Sequence, residues 1–538
     1  MANVALGPNR GPSGIFRRKS VALIQSENAG SELKRSLGAL NLVLLGIGCV
    51  IGTGIFVLTG RAAAQFAGPG IMVSFIITGV LCALVALCYA ELASALPVSG
   101  SAYSYTYTSM GEVVAWIMGL LVLLEYGLAA SVVAVGWSGY FVSLMQDIHI
   151  GGWHVVIPPI LTAAPGVDVK DAAGVVIAHG LVNLPAIAII GLVTSLLVLG
   201  VSESATVNNI VVFIKLSVVI AFIAIGSRFV HPALWHPLVP AQVPAPPPGT
   251  PMDIAHQIGR AGWAVITGDN SVKYGIGGVI HGAAVIFFAY LGFEAVSTAG
   301  AEARNPAKDM PVGILGALAI CTVLYIATSA VLVGIVPYQM LDNPAPIAVA
   351  VNHIGMPKFA ILVKIGAICG LSSVMLVLLY GQTRIFYTMS RDGLLPASLA
   401  RVHAKFKTPW VNTIIVGLLA SGFAGFRSLD ALSDLSNVGS LAAFAIVCVT
   451  VIYLRFANPG LVRPFRTPFV MLTGGLGALM CLFLLMSLMA TTATRNFFLI
   501  YLAIGIIGYF AYGRSHSMLG RGIAVGGHEP EPMTLPEG

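Results

Sequence analysis

Three ionisable residues stand inside long apolar runs of the chain. Lys215 lies in "NNIVVFIKLSVVIAF", Glu125 in "LLEYG" and Glu294 in "LGFEA". A charged side chain at the depth of a lipid bilayer costs about 3 kcal/mol or more, so each is a functional candidate. Lys215 could bind and release a proton, or its ammonium group could simply extend to the membrane surface. Each glutamate could carry a proton or could join helices as a hydrogen-bonded structural residue.

A second unusual feature is an apolar run that contains many glycines. Residues 44–60, "LLGIGCVIGTGIFVLTG", include Gly46, Gly48, Gly52, Gly54 and Gly60. Glycine is a poor helix former, and in lipid an interrupted helix is tolerated only where its backbone is buried in protein or lines a wet cavity. The alternative is a close helix contact of the GxxxG type, which Gly48 and Gly52 fit.

The sixth apolar run, "GAAVIFFAYLGFEAVSTAGAEARNP", is interrupted in the same way. Paired interruptions of this kind favour a binding site over a packing contact. At a break, one half-helix presents free N–H groups and the other presents free carbonyls, which suit a carboxylate and an ammonium group. A zwitterionic α-amino acid carries both groups. Residues 51–54, "IGTG", leave room for such a ligand, and Thr53 adds a hydroxyl.

The elements that must hold these residues are membrane helices. Of the 538 residues, 57% are hydrophobic and 9% are charged, whereas soluble domains carry about 25% charged residues. Windows long enough to cross a bilayer predict twelve helices. They cover residues 40–63, 69–95, 112–142, 181–201, 208–229, 278–300, 312–336, 358–380, 410–427, 432–455, 469–490 and 495–513. The two breaks, five spans apart, predict an all-α fold of two inverted five-helix repeats with two additional helices.

The remaining segments define the organisation of the chain. Residues 1–35 form a basic N-terminal segment, 36–513 the membrane domain with a proline-rich outside loop at 230–277, and 514–538 an expected disordered tail. No removable signal peptide is predicted. About twice as many Lys and Arg residues fall on the side of the N-terminus as on the other side, which places both termini in the cytoplasm. The net charge of +7 is therefore a topology signal, and nucleic-acid binding is not expected.

Several smaller features complete the prediction. The seven cysteines fall within predicted spans, without metal-binding spacing, and are expected to be small buried hydrophobic residues. Tyr103, Tyr105 and Tyr107 look like interfacial aromatics. The segment "RIFYTMSRDGLLP" has the composition of an inside loop, and Glu91 that of a structural residue.

Four motifs resemble a known family. They are "GIGCVIGTGIFVLTG", "FFAYLGFEAVSTAGAEARNPAKDMPVGI", "YGQTRIFYTMSRDGLLP" and "RPFRTP". They look like the amino acid–polyamine–organocation superfamily, and within it the cationic amino acid transporter-like family of proton-coupled bacterial carriers. The resemblance extends over roughly residues 35 to 513 and implies a leucine-transporter-like fold with helices 1 and 6 broken.

The resemblance also implies a substrate site at the breaks. The amides of Thr53 and Gly54 would hold the substrate carboxylate. The carbonyls of Val50, Phe288 and Leu291 would take the ammonium group, and the Phe288 ring would cover the site.

Further residues of the site follow from the same resemblance. Ala289 belongs to the binding segment, Tyr126 to the pocket wall of helix 3, and Leu378 to the side-chain pocket of helix 8. Lys215 would replace the cation of sodium-coupled relatives. A bound proton would let it tie helix 5 to helix 1, and proton loss would loosen that tie. Glu294 would belong to the proximal gate, and Glu125 would take part in proton coupling.

The sequence thus predicts a proton-coupled symporter that imports small neutral L-amino acids such as alanine. Helix 8 offers Met375, Leu378 and Leu379 without a carboxylate, so a cationic side chain would stay desolvated and unpaired. The alternatives are an exchanger, a cationic amino acid permease and a non-transporting membrane sensor. No enzymatic activity and no cofactor are expected. The protein is predicted to act as a monomer in the bacterial inner membrane, with the amino acid, protons and the bilayer as its partners.

Overall fold

The computed structural model describes residues 14–20, 36–98, 100–150, 153–154, 157–170, 175–200, 205–244, 254–267 and 273–522. The first part of the bundle runs from the first span to the fifth. Its helices are α1 (Ala39–Val50), α2 (Thr59–Ala62), α3 (Ile71–Ala95), α4 (Ser101–Ser109), α5 (Glu112–Asp147), α6 (Leu184–Val198) and α7 (Ala205–Gly226).

The second part begins with a helix in the outside loop and continues to the end of the described chain. Its helices are α8 (Ile254–Thr267), α9 (Gly275–Ile286), α10 (Pro306–Ile335), α11 (Pro346–His353), α12 (Pro357–Arg391), α13 (Trp410–Phe426), α14 (Leu429–Ala457), α15 (Val470–Met489), α16 (Thr492–Gly508) and α17 (Arg514–His516).

Helix length and composition agree with a membrane protein. Within the described ranges, nine helices are long and apolar enough to cross a membrane, and three further apolar helices are shorter. The shorter ones are α1, which ends at the first break, together with α6 and α13. The predicted helical membrane protein is therefore confirmed at this level.

The loop between α5 and α6 departs from an all-α fold. It contains two antiparallel hairpins, β1 (His149–Ile150) with β2 (Trp153–His154) and β3 (Asp168–Lys170) with β4 (Val176–His179). Val and Ile, which occur in these strands, favour β-structure. The short strand β4 is largely exposed, and its sequence shows no helical periodicity.

Three sequence expectations about local structure and burial were wrong. The predicted loop "RIFYTMSRDGLLP" is helical as far as Arg391, because this segment contains no glycine or proline before Gly393. Tyr103, Tyr105 and Tyr107 are not interfacial: they lie on α4 with exposed fractions of 2%, 0% and 1%. Cys369 likewise differs from the other six cysteines, since it is exposed.

Both ends of the described chain pack on one end of the bundle, here called the terminal face (residues 14–20 and 514–522). The Lys19 ammonium donates to the Asp392 carboxylate at 2.6 Å, and both side chains are buried. Glu112, also buried, accepts from the hydroxyls of Tyr509 at 2.8 Å and of Ser517. These stretches are therefore packed rather than disordered, while the rest of the predicted disordered tail lies outside the described residues.

Candidate functional site

The first predicted break is present. Helix α1 ends at Val50, and Ile51 has extended backbone with φ −74° and ψ 95°. After Thr53 the chain resumes as a π-helical turn over Gly54–Leu58, which continues into α2. Val50 and Thr53 are buried, with exposed fractions of 2% and 0%. The interrupted backbone is thus enclosed in protein, as a break at membrane depth requires.

The second break follows α9. A 3₁₀ turn over Phe287–Tyr290 leads to Leu291 with extended backbone, and a second 3₁₀ segment runs over Glu294–Glu302. Between them Gly292 has a φ of +118°, a conformation that L side chains rarely adopt. Glycine at this position is therefore required by the turn itself.

The two breaks touch each other. A Cβ on Gly54 would lie 3.0 Å from the Ala289 nitrogen and closer still to the Ala289 Cα. A Cβ on Gly292 would lie 2.8 Å from the carbonyl carbon of Cys49. Because neither glycine has room for a side chain, the backbones of the first and sixth spans meet directly and form one region.

The amide side of this region fits a carboxylate. The N–H groups of Thr53 and Gly54 lie in the first turn after the break, where a helix supplies no acceptor. Within the described residues, the Thr53 hydroxyl is buried without a hydrogen-bond partner. Gly136 of α5 lets the helix approach this side chain, since a Cβ there would lie 2.7 Å from the Thr53 Cγ2. A carboxylate oxygen could accept from the hydroxyl and from both amides.

The carbonyl side is already partly engaged. The Tyr325 hydroxyl donates to the Val50 carbonyl at 2.7 Å, and the Leu291 N–H donates to the Phe288 carbonyl at 3.2 Å. A carbonyl oxygen has two lone pairs, so each retains the capacity to accept an ammonium hydrogen. Sequence reasoning missed Tyr325. Its only signal was a tyrosine in the middle of an apolar span, "ICTVLYIATS".

Lys215 lies beside the first break. Its side chain is 0% exposed, and its ammonium donates to the carbonyls of Gly48 and, at 3.2 Å, Ile51. These are carbonyls at the end of α1, where the helix dipole favours a cation. The structure therefore places the buried ammonium of this α7 lysine against the end of α1.

Glu294 shapes the second break. Its carboxylate accepts from the Gly292 N–H at 2.8 Å, and its side chain is 3% exposed. The other carboxylate oxygen is buried and makes no hydrogen bond within the part of the chain that the structure describes. Glu294 thus fixes the glycine turn with one oxygen and leaves the second available.

Glu125 lies on α5, at its crossing with α14. Its backbone carbonyl accepts from the Ser436 hydroxyl at 3.1 Å, and Gly439 allows the close approach, since a Cβ there would lie 3.3 Å from the Glu125 nitrogen. The side chain is 2% exposed, and its Oε1 is buried without a hydrogen-bond partner among the described residues.

The remaining predicted residues surround the breaks. The Tyr126 ring packs against Gly381 of α12, where a Cβ would lie 3.2 Å from it. Leu378 is 8% exposed on the same helix, one turn after Val374, whose methyl groups approach Gly52. Phe288 is 5% exposed within the second break.

The class of protein is now defined: a helical membrane protein with two broken helices whose backbones meet in a buried polar region. Residues 37–510 match the family model described as amino acid permease. The chain belongs to this family, which lies in the amino acid–polyamine–organocation superfamily, so the family resemblance is confirmed.

Individual relatives cover nearly the whole chain. The chain is 44% identical to the methylthioribose transporter of Bacillus subtilis (strain 168), over 95% of this chain and 100% of that protein. It is also 44% identical to the branched-chain amino acid permease BcaP of the same organism, over 94% of this chain and 99% of that protein. The vacuolar cationic amino acid transporter 4 of Arabidopsis thaliana is 35% identical, over 83% of this chain and 68% of that protein. These relatives are transporters and not enzymes.

Proposed function

We propose that this protein is a proton-coupled symporter that imports neutral L-amino acids. The observation that carries the proposal is the direct contact of the two breaks at Gly54 and Ala289. It brings the Thr53 hydroxyl, which has no hydrogen-bond partner among the described residues, and the first-turn amides of one break close to the carbonyls of the other. A zwitterion has the two charges that such an arrangement binds.

Proton coupling rests on Lys215. With the ammonium protonated, two charge-assisted hydrogen bonds hold α7 to the end of α1. A neutral amine has one donor fewer and no charge, so proton loss weakens this link and lets the half-helix move. A proton that enters down a membrane potential provides about 2.3 kcal/mol per 100 mV, enough for modest accumulation.

The preference for neutral substrates rests on α12. Met375, Leu378 and Leu379 are buried apolar residues of this helix. A cationic side chain that entered along α12 would lack a counter-charge. The branched-chain amino acid permease among the relatives supports an aliphatic substrate, which includes valine and leucine besides alanine.

A second candidate is a methylthioribose-type substrate, favoured by the full-length similarity to the transporter of that name. A thiosugar has neither a carboxylate nor an ammonium group, so it would not use the opposed amides and carbonyls of the breaks. This chemical difference makes the zwitterion the better fit.

The proposal includes a membrane topology. The chain crosses the membrane twelve times, in the arrangement of the leucine-transporter-like inverted repeat. The spans are α1 with α2, α3, α5, α6, α7, α9 with its 3₁₀ extension, α10, α12, α13, α14, α15 and α16. The terminal face is cytoplasmic, and the protein acts as a monomer in the plasma membrane.

The test is uptake into proteoliposomes that contain the purified protein. Labelled alanine is offered with an inward proton gradient, without sodium, and with and without a protonophore. We expect accumulation that the protonophore abolishes. Counterflow without net accumulation would identify an exchanger, and binding without either would identify a sensor; both results would overturn the proposal.

Substrate class is tested in the same vesicles by competition. Valine, leucine, arginine, lysine and methylthioribose each compete against labelled alanine. The proposal expects the neutral amino acids to compete best. Methylthioribose transport in the absence of amino acid transport would replace it with the second candidate.

A further inference from the structure

We infer that Asn437 is a positioning residue that holds the second break in its binding geometry. This inference rests on the proposed function, because it treats the break as part of the substrate site. Asn437 lies in the middle of α14 and is 0% exposed.

The side-chain amide of Asn437 reaches the last turn of α9. Its Nδ2 donates to the carbonyls of Ala284 at 3.1 Å and Val285 at 3.3 Å. Both belong to the last four carbonyls of α9, which a helix leaves without a partner when it ends. The 3₁₀ turn that carries Phe288 and Ala289 begins two residues later. Asn437 therefore fixes the backbone from which the proposed ammonium ligands project.

The oxygen of the same side-chain amide differs from the nitrogen. The Asn437 Oδ1 is buried and has no hydrogen-bond partner among the described residues. Keeping a buried polar oxygen unpaired is costly. An apolar residue would avoid this cost at a packing position, so the donor nitrogen is the reason for an asparagine here.

The neighbouring residue on α14 contacts a different helix. Ser436 donates to the Glu125 carbonyl of α5, while Asn437 donates to α9. Adjacent residues of one rigid helix thus hold both the end of the broken sixth span and the Glu125 segment. Through this bridge, α14 sets the position of the second break, which carries Glu294, relative to Glu125.

The experiment compares two substitutions that differ in size and in hydrogen bonding. Asn437→Leu keeps the branched shape of the side chain, with two larger methyl groups and no donor, whereas Asn437→Ser is smaller and keeps one hydroxyl donor. If the amide donates to the break, Leu is the more damaging change; if the side chain only fills space, Ser is. Ser433→Ala is the matched control, since Ser433 is fully buried one turn earlier and its hydroxyl has no partner among the described residues.

Two measurements are made on the purified full-length variants. For uptake, we expect Asn437→Leu to raise KM about tenfold, the effect of one net hydrogen bond of about 1.4 kcal/mol, with Vmax changed much less. Asn437→Ser should retain an intermediate KM, and the control should match the wild type.

Hydrogen–deuterium exchange over residues 284–293 provides a readout that needs no substrate. Exchange there should increase in Asn437→Leu and stay unchanged in Ser433→Ala. Equal exchange in the Leu variant and the wild type, or a Ser variant worse than the Leu variant, would overturn the inference. If the wild type transports no neutral amino acid while the exchange pattern holds, the proposed function fails and the structural role of Asn437 stands.

Discussion

Gly54 and Ala289 meet backbone to backbone, although 235 residues separate them in the sequence. This contact is where the first and sixth spans are both interrupted. No Cβ fits on Gly54 without displacing the Ala289 backbone. The glycine therefore keeps the free amides of one half-helix close to the other break.

Gly54→Val is expected to abolish substrate binding while leaving membrane insertion intact. The side chain would obstruct the carboxylate and would also push the two breaks apart. Binding is measured by the thermal shift that alanine induces in the purified variant. Gly422→Val is the matched control, because no atom lies within 4 Å of a Cβ on this helical glycine. Wild-type affinity in Gly54→Val would contradict the site assignment.

Lys215→Ala is expected to lose accumulation driven by a pH gradient and to keep counterflow exchange. The substitution removes the charge that holds α7 to the carbonyls of Gly48 and Ile51 but leaves the amides of the first break in place. The ratio of gradient-driven uptake to counterflow is the measurement.

The control for Lys215 is a second buried lysine. Lys364 is 3% exposed and pairs with Asp147 at 2.6 Å, away from the breaks. Lys364→Ala should lower thermal stability without changing the uptake ratio. An unchanged ratio in Lys215→Ala as well would show that this lysine does not carry the coupling.

Leu378→Ser is expected to improve competition by arginine and lysine relative to alanine. A smaller, polar residue leaves room for a long side chain on α12, where the wild type buries an apolar one. The relative inhibition constants in proteoliposomes measure the change. Leu376→Ser, on the same helix but only partly buried, should leave the order of substrates unchanged. Arginine outcompeting every neutral amino acid in the wild type would instead identify Glu125 as a specificity residue.

Glu91→Ala is expected to destabilise the protein without changing substrate preference. The carboxylate accepts from Arg455 at 2.6 and 3.0 Å and from the Thr467 N–H at 2.8 Å, and it pairs with Arg463. Removing one partner of a buried ion pair costs about 3 kcal/mol or more. A lower thermal midpoint measures the loss, and Arg466→Ala, an exposed residue of the same loop, should show none. An unchanged thermal midpoint would show that Glu91 does not stabilise the loop between α14 and α15.

The sequence was most informative where a residue type is costly in lipid. Glycines at 52, 54 and 292 and the lysine at 215 are poor choices for an ordinary membrane helix, so they indicated the breaks and the contact beside them. Tyr325 and Asn437 carried no such signal. Each matters because of a carbonyl on a distant span, and only the packing of α10 and α14 reveals that partner.

Local sequence patterns also gave wrong predictions where tertiary contacts determine the structure. The polar end of α12 has the composition of a loop, but it continues as a helix to Arg391 and positions Asp392 for Lys19. Tyr103 donates to the same carboxylate, at 2.7 Å, which explains its burial. No periodicity of the sequence encodes a contact between the N-terminal segment and the end of the eighth span.

The terminal face has a consequence for biosynthesis. Glu112 enters the membrane with the third span, yet two of its hydrogen-bond donors, Tyr509 and Ser517, lie close to the C-terminus. Translation proceeds from the N-terminus, so the ribosome has made most of the chain before these partners exist. Until then the acid must rely on water, on Tyr107 or on Arg17, which pairs with it at 3.8 Å. A prematurely terminated chain would expose this unsatisfied carboxylate to cellular quality control.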